Sequence, residues 1–227
     1  MSGRFALTAS KAELEAWFGV TGTPEMPARY NIAPQQPLAV IRRLPDWPDR
    51  HMTFMLWGFL PAWTATPTED RLMTNVRLET AAEKPSFRLA YRRRRCLVPA
   101  TGFYEWVERQ NSDTKTPYYF SPEAGGLIAM AALWEHWQGA DGSELETVAL
   151  MTRASTGPSA AIHPRMPLLL QPGQFGVWLD PWQDDPKIIQ ALIAATPRQA
   201  MDIQPISNRV NDPTKDDIGC IAPLGTV

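Results

Sequence analysis

The chain lacks the features that most quickly assign a protein. It has two cysteines, Cys96 and Cys220, which form no CxxC pair. This excludes a disulfide framework and a cysteine-based zinc site of the usual ligand spacing. The three histidines, His51, His136 and His163, stand far apart and add no metal-ligand pattern. Basic residues do not exceed acidic ones: 22 Lys+Arg against 24 Asp+Glu give a formal net charge of −2. Proteins that coat polyanions are usually basic overall, so this balance argues against general nucleic-acid coating and leaves room only for a local basic groove. No apolar run is long enough to cross a membrane, and the opening MSGRFALTAS has no signal-peptide core. A cytoplasmic protein with no membrane partner and no cofactor is expected. No linker separates two compositions and no segment repeats, so 1–227 is read as a single domain.

What is present points to many short elements. Hydrophobic residues make up 44% of the chain, enough for a sizeable core. Proline is abundant at 22 residues, roughly twice its usual ~5% share, which disfavours a bundle of long helices. There are nine tryptophans, each needing a partner for its ring N–H when buried, so a binding surface is a natural place for some of them. SKAELEAWFG predicts a helix capped by Ser10, with Glu13 completing the capping box and Gly19 ending it. KPSFRLAYRRRR predicts a second helix with Pro85 in its first turn. LAVIRRL, HMTFMLWGFL, CLVPA, GFYEWVE, TPYYFSP, GLIAMAALWEHW and LETVALMTR read as strands. ASTGPSAAIHPRMP reads as a turn, PGQFGVWL and PKIIQALIAAT as late helices, and MDIQPISNRVN as extended chain. The expected fold is α+β: one mostly antiparallel, barrel-like sheet with peripheral helices.

Three stretches hold side chains suited to chemistry. In MTNVRLET, an extended chain puts Asn75 and Arg77 on one face with Glu79 next. A carboxamide beside a guanidinium suits a phosphate or a small nucleophile, and an ordinary polar loop explains the stretch equally. In GFYEWVE, Glu105 lies among Phe103, Tyr104 and Trp106. Desolvation there would raise its pKa and make it a usable acid or base near neutrality. Simple alternation would instead turn Glu105 to solvent. In AAIHPRMP, His163 sits in a turn-rich stretch with Arg165 two residues on, placed either for proton transfer or as a structural histidine. Arg92 to Arg95 form a run best read as a solvated helix end. Trp57 and Trp63 flank a proline turn, suited to burial or to stacking on a base.

Taken together and in order, SGRF, ARYNIAP, WGFLPAW, TNVRLETAAEKPSF, RRRCLVPATGFYEW, MAALWE, IHPRMP and SNRVN resemble the SRAP family, the SOS response-associated peptidase or abasic-site processing proteins. The resemblance implies a barrel-like α+β domain with a groove for single-stranded DNA carrying abasic sites; a monomer is expected. It also implies a catalytic group built on residue 2 once Met1 is removed, with Asn75, Glu105 and His163 as matching positions. Arg77 and Arg165 match phosphate-holding positions, Arg4 belongs to the N-terminal signature and is expected to contact DNA with them, and Trp63 falls where relatives line the DNA channel. In the family's chemistry the α-amine attacks the abasic aldehyde to form an imine, and a cysteine thiolate at residue 2 closes a thiazolidine. By this resemblance Glu105 would shuttle protons, His163 would assist imine formation and its reversal, and Asn75 would hold the amine.

One departure matters. Residue 2 is Ser here, where the family pattern has cysteine. A hydroxyl is a far weaker nucleophile than a thiol at neutral pH. The imine step is therefore expected to survive and the durable crosslink to be lost. A peptidase-like, self-processing hydrolase and a non-catalytic single-strand binder are the alternatives.

Overall fold

The sequence signals for short strands and tight turns produce thirteen strands and six α-helices among residues 3–108 and 115–224, which the structure, a computed structural model, describes. In chain order the first strands are β1 (Phe5–Leu7), β2 (Arg29–Ile32), β3 (Pro37–Leu44), β4 (Trp47–Trp57), β5 (Asn75–Arg77) and β6 (Arg95–Ala100). They are followed by β7 (Gly102–Glu108), β8 (Lys115–Pro122), β9 (Ile128–Gln138), β10 (Glu144–Ala154), β11 (Arg165–Pro167), β12 (Leu169–Leu170) and β13 (Met201–Pro205). The helices are α1 (Lys11–Phe18), α2 (Leu78–Ala81), α3 (Arg88–Arg93), α4 (Ser159–Ile162), α5 (Phe175–Trp178) and α6 (Pro186–Ala194).

Strands β10, β4, β3, β6 and β9 pair in that order, and β9 pairs back to β10, closing a barrel. Every pair in it is antiparallel except β10 with β4. Closure removes the open edges that a short sheet would otherwise expose. A second sheet runs β13-β8-β7-β1-β2. The runs CLVPA of β6 and IAMAALW of β9 are buried at every position. Both the barrel side and the outer side of these strands are therefore covered, which accounts for their unbroken apolar character.

The two sheets share a path. β6 belongs to the barrel and β7 to the second sheet, with Thr101 alone between them. Gly102 turns this corner against Tyr119: a Cβ there would lie 2.4 Å from the Tyr119 Cζ and 2.5 Å from the Phe120 carbonyl oxygen. No other residue fits without moving backbone.

Helix α1 forms as its sequence dictates. The Ser10 N–H donates to Glu13 Oε2 at 2.7 Å, the Glu13 N–H donates back to Ser10 Oγ, and Gly19 ends the helix at φ 63°. Other expectations shift. The helix expected over KPSFRLAYRRRR is α3 and spans only Arg88–Arg93, with Pro85 in the turn before it. The supposed turn at 154–167 contains α4 and β11, and the extended run from 201 stops at Pro205 before a 3-10 turn over Asn208–Asn211.

The run of arginines is not uniformly solvated. Arg92 and Arg93 are exposed, but Arg95 is only 3% exposed. Its guanidinium donates to the carbonyls of Tyr91, Arg92, Trp178, Asp180 and Gln183. It staples α3 and β6 to the segment that follows α5.

Candidate functional site

The far end of β10 organises the site. On one side β5 runs parallel to it, with Asn75 opposite Leu150 and Arg77 opposite Thr152. β11 runs antiparallel to the same stretch, with Pro167 opposite Thr152 and Arg165 opposite Ala154. The fully buried Thr152 is thus shared by the Asn75–Arg77 and Arg165 segments. Strand alternation buries Val76 and leaves Asn75 half-buried and Arg77 exposed. Asn75 Nδ2 donates to Thr74 Oγ1 at 3.2 Å. Among the described residues Arg77 makes no ion pair, so its charge is open to solvent.

Glu105 lies on β7, opposite Tyr118 of β8, and is 2% exposed. Phe103 and Tyr104 before it are also buried, so both faces of the strand are covered here and the solvent-facing alternative does not hold. α4 packs against β7 and brings His163 with it. His163 Nδ1 sits 3.7 Å from Glu105 Oε2. The same nitrogen lies 2.9 Å from the Arg165 carbonyl oxygen and 3.1 Å from the Arg165 backbone nitrogen. When bare it accepts from that N–H; when protonated it donates to the carbonyl. The main chain therefore holds the ring in either protonation state.

The Arg165 guanidinium donates from Nη1 and Nη2 to the two Glu79 carboxylate oxygens at 2.7 and 2.9 Å. Nη2 also reaches Thr152 O at 2.5 Å. This hydrogen bonding from Arg165 holds the Glu79 carboxyl below the usual carboxylate range.

The N-terminal strand enters beside the buried acid. Phe5 is opposite Phe103, and the Arg4 carbonyl accepts from the N–H of Tyr104, the residue before Glu105. Arg4 Nη1 donates to Asn31 Oδ1 and the Val210 carbonyl, each at 2.8 Å, and burial lowers its pKa. Its side chain thus ties β1 to β2 and the C-terminal turns. Trp63 is 70% exposed on a turn closed by Thr64 N–H to Pro61 O at 2.9 Å, whereas Trp57 is buried and donates to Thr74 O. Ser2 lies outside the described residues. Two contributors were not singled out from sequence: Thr152, signalled only as a polar residue in an apolar strand, and the Glu79 clasp.

Cavity size does not pick out this site. A surface cavity of about 1190 Å³, lined in part by Thr8, Trp17, Ser121 and Gln171, includes none of the candidate residues. Burial of an acid against an imidazole is the more telling feature. Among the described residues, no group of three or more His, Cys, Asp and Glu is gathered to hold a metal ion.

The sequence profile of the family described as SOS response associated peptidase (SRAP) matches residues 1–213. The chain belongs to the SRAP family. A relative from Bacillus subtilis (strain 168), named abasic site processing protein YoqW, is 32% identical over 216 residues, spanning 94% of this chain and 95% of its own. The Mus musculus protein named abasic site processing protein HMCES is 29% identical over 230 residues, spanning 86% of this chain and 64% of its own length. A solved structure of a Bacteroides thetaiotaomicron protein superposes with a TM-score of 0.81 at 24% identity, covering 96% of this chain and 97% of that one. The shared fold therefore extends over nearly the whole chain, barrel and second sheet included.

Proposed function

We propose that this SRAP chain processes abasic sites in single-stranded DNA through the α-amine of Ser2, freed by removal of Met1. The amine nitrogen attacks the aldehyde carbon of the ring-opened sugar to give a carbinolamine. Loss of the hydroxyl with a proton, as water, leaves an imine. An α-amine has a pKa near ~8, so a useful fraction is neutral at cellular pH.

The observation that carries this reading is the buried Glu105 beside His163, next to the strand that leads in from the N-terminus. Sugar-ring opening, amine attack and dehydration each move a proton, and a carboxyl–imidazole pair supplies both donor and acceptor. Asn75 orients the amine. Arg77, exposed beside Asn75, holds a phosphate next to the damaged sugar, and Trp63 stacks on a neighbouring base. The phosphate role expected for Arg165 is set aside, because Glu79 and Thr152 already occupy its guanidinium. The protein acts as a monomer. The Ser2 hydroxyl gives at most an oxazolidine, which hydrolyses more readily than a thiazolidine, so the adduct is reversible. The names of the relatives, abasic site processing proteins, support the same substrate class.

The test is borohydride trapping on plain and abasic oligonucleotides, with binding measured in parallel. A trapped adduct on abasic DNA alone supports the proposal. Equal binding to both strands with no adduct supports a non-catalytic binder. Peptide hydrolysis without DNA supports a self-processing hydrolase.

A further inference from the structure

Asn75 and His163 come from different parts of the fold. Asn75 lies on β5 and His163 between α4 and β11. α2 follows directly on β5 and carries Glu79 in its first turn. The Glu79–Arg165 clasp joins the Asn75 segment to the His163 segment side chain to side chain. Arg165 is also the residue whose main-chain N–H and C=O both meet His163 Nδ1.

We infer that Glu79 is a positioning residue for the reaction: by gripping Arg165 it fixes the His163 ring and sets its distance from Asn75. The geometry suits this task. Two parallel N–H···O bonds define the guanidinium plane as well as its place. Thr152 holds Nη2 from the buried side at 2.5 Å, so Arg165 is gripped from two directions. The Arg165 side chain is 15% exposed and Glu79 49% exposed. The carboxylate thus lies at the rim of the site, outside the reacting groups, and acts through Arg165.

This inference rests on the proposed chemistry for its catalytic readout, and a second readout stands apart from that chemistry. The variants are Glu79→Gln and Glu79→Asp, the latter restoring charge one methylene shorter. The first measurement is the nitrogen NMR shifts of the His163 ring without DNA. The second is the rate of borohydride-trappable adduct formation at saturating abasic DNA, with the Kd for an undamaged strand alongside. Loss of the clasp is expected to move the His163 ring resonances. It is also expected to slow adduct formation about tenfold or more, the scale of a misplaced reacting group, with Kd changed less than about twofold. Glu79→Asp is expected to recover part of both effects. Ring shifts that superimpose on the wild type, or a rate that falls only in step with affinity, overturn the inference. If the wild type yields no adduct, the proposed function fails, and the ring shifts alone still decide the role of Glu79.

Discussion

His163 Nδ1 lies 3.7 Å from Glu105 Oε2, although the two residues come from different layers of the fold. Glu105 is fixed by β7 of the second sheet, and His163 by the loop that enters β11 of the other. A buried carboxyl without a partner is costly, and at 2% exposure Glu105 has the His163 imidazole beside it.

Glu105→Gln keeps the shape and removes the proton-transfer group. The rate of trapped-adduct formation on an abasic oligonucleotide should fall by roughly 100-fold or more. Binding of an undamaged strand should change little. An unchanged trapping rate would return Glu105 to a purely structural role.

The Arg77 side chain is exposed and, among the described residues, ties no element to another, so Arg77→Ala should leave stability within about 0.5 kcal/mol of the wild type. It should weaken single-strand binding and reduce the salt dependence by about one phosphate contact, a change of ~0.7 in the slope of log K against log salt. Fluorescence anisotropy over a salt series checks this, and an unaltered slope would remove Arg77 from the DNA path.

The Glu79 carboxyl is held below its ordinary value by the hydrogen bonds from Arg165. A depressed folded-state value means that Glu79 adds stability above the unfolded pKa, near ~4.3, and that this is lost as pH falls through the folded value. Urea midpoints of wild type and Glu79→Gln should therefore differ near neutral pH, with the wild type higher, and converge in acid. Midpoints separated by the same amount at every pH would contradict the pairing. The half-exposed side chain keeps the difference modest.

Arg95→Leu removes the guanidinium donors from five carbonyls, of which that of Asp180 keeps a further partner, the Gln183 N–H. Buried carbonyls left without donors cost about 1–3 kcal/mol each, so a loss of about 3 kcal/mol or more is expected from urea unfolding. Arg95→Lys should rescue little, since an ammonium cannot span the same fork. Full rescue by lysine would show that charge, not geometry, matters there.

Local signals were legible and layer-to-layer contacts were not. The capping box of Ser10 and Glu13, and Gly19 behind it, act within one helix and read directly. Alternation along GFYEWVE could not tell whether Glu105 faced solvent, because that depends on whether distant segments, α4 among them, cover the strand. Arg95 reads as part of a solvated run, since three of the five carbonyls that bury it, on Trp178 at the end of α5 and on Asp180 and Gln183 after it, lie far along the chain. The Glu79–Arg165 clasp depends on the register of β5 and β11 against β10, which no local pattern encodes. The family motifs did bring Asn75, Glu105 and His163 forward, because their order along the chain is a signal that spacing within any one stretch lacks.

The central claim is that a main-chain amine at residue 2 meets the abasic aldehyde. It is tested most directly by peptide mapping of the borohydride-reduced adduct, with an unreduced sample heated and denatured beside it. The account predicts DNA attached at the Ser2 amine in the reduced sample, nothing surviving heat in the unreduced one, and a heat-resistant link in Ser2→Cys. Attachment at a lysine, or a wild-type crosslink that survives heat without reduction, would contradict it.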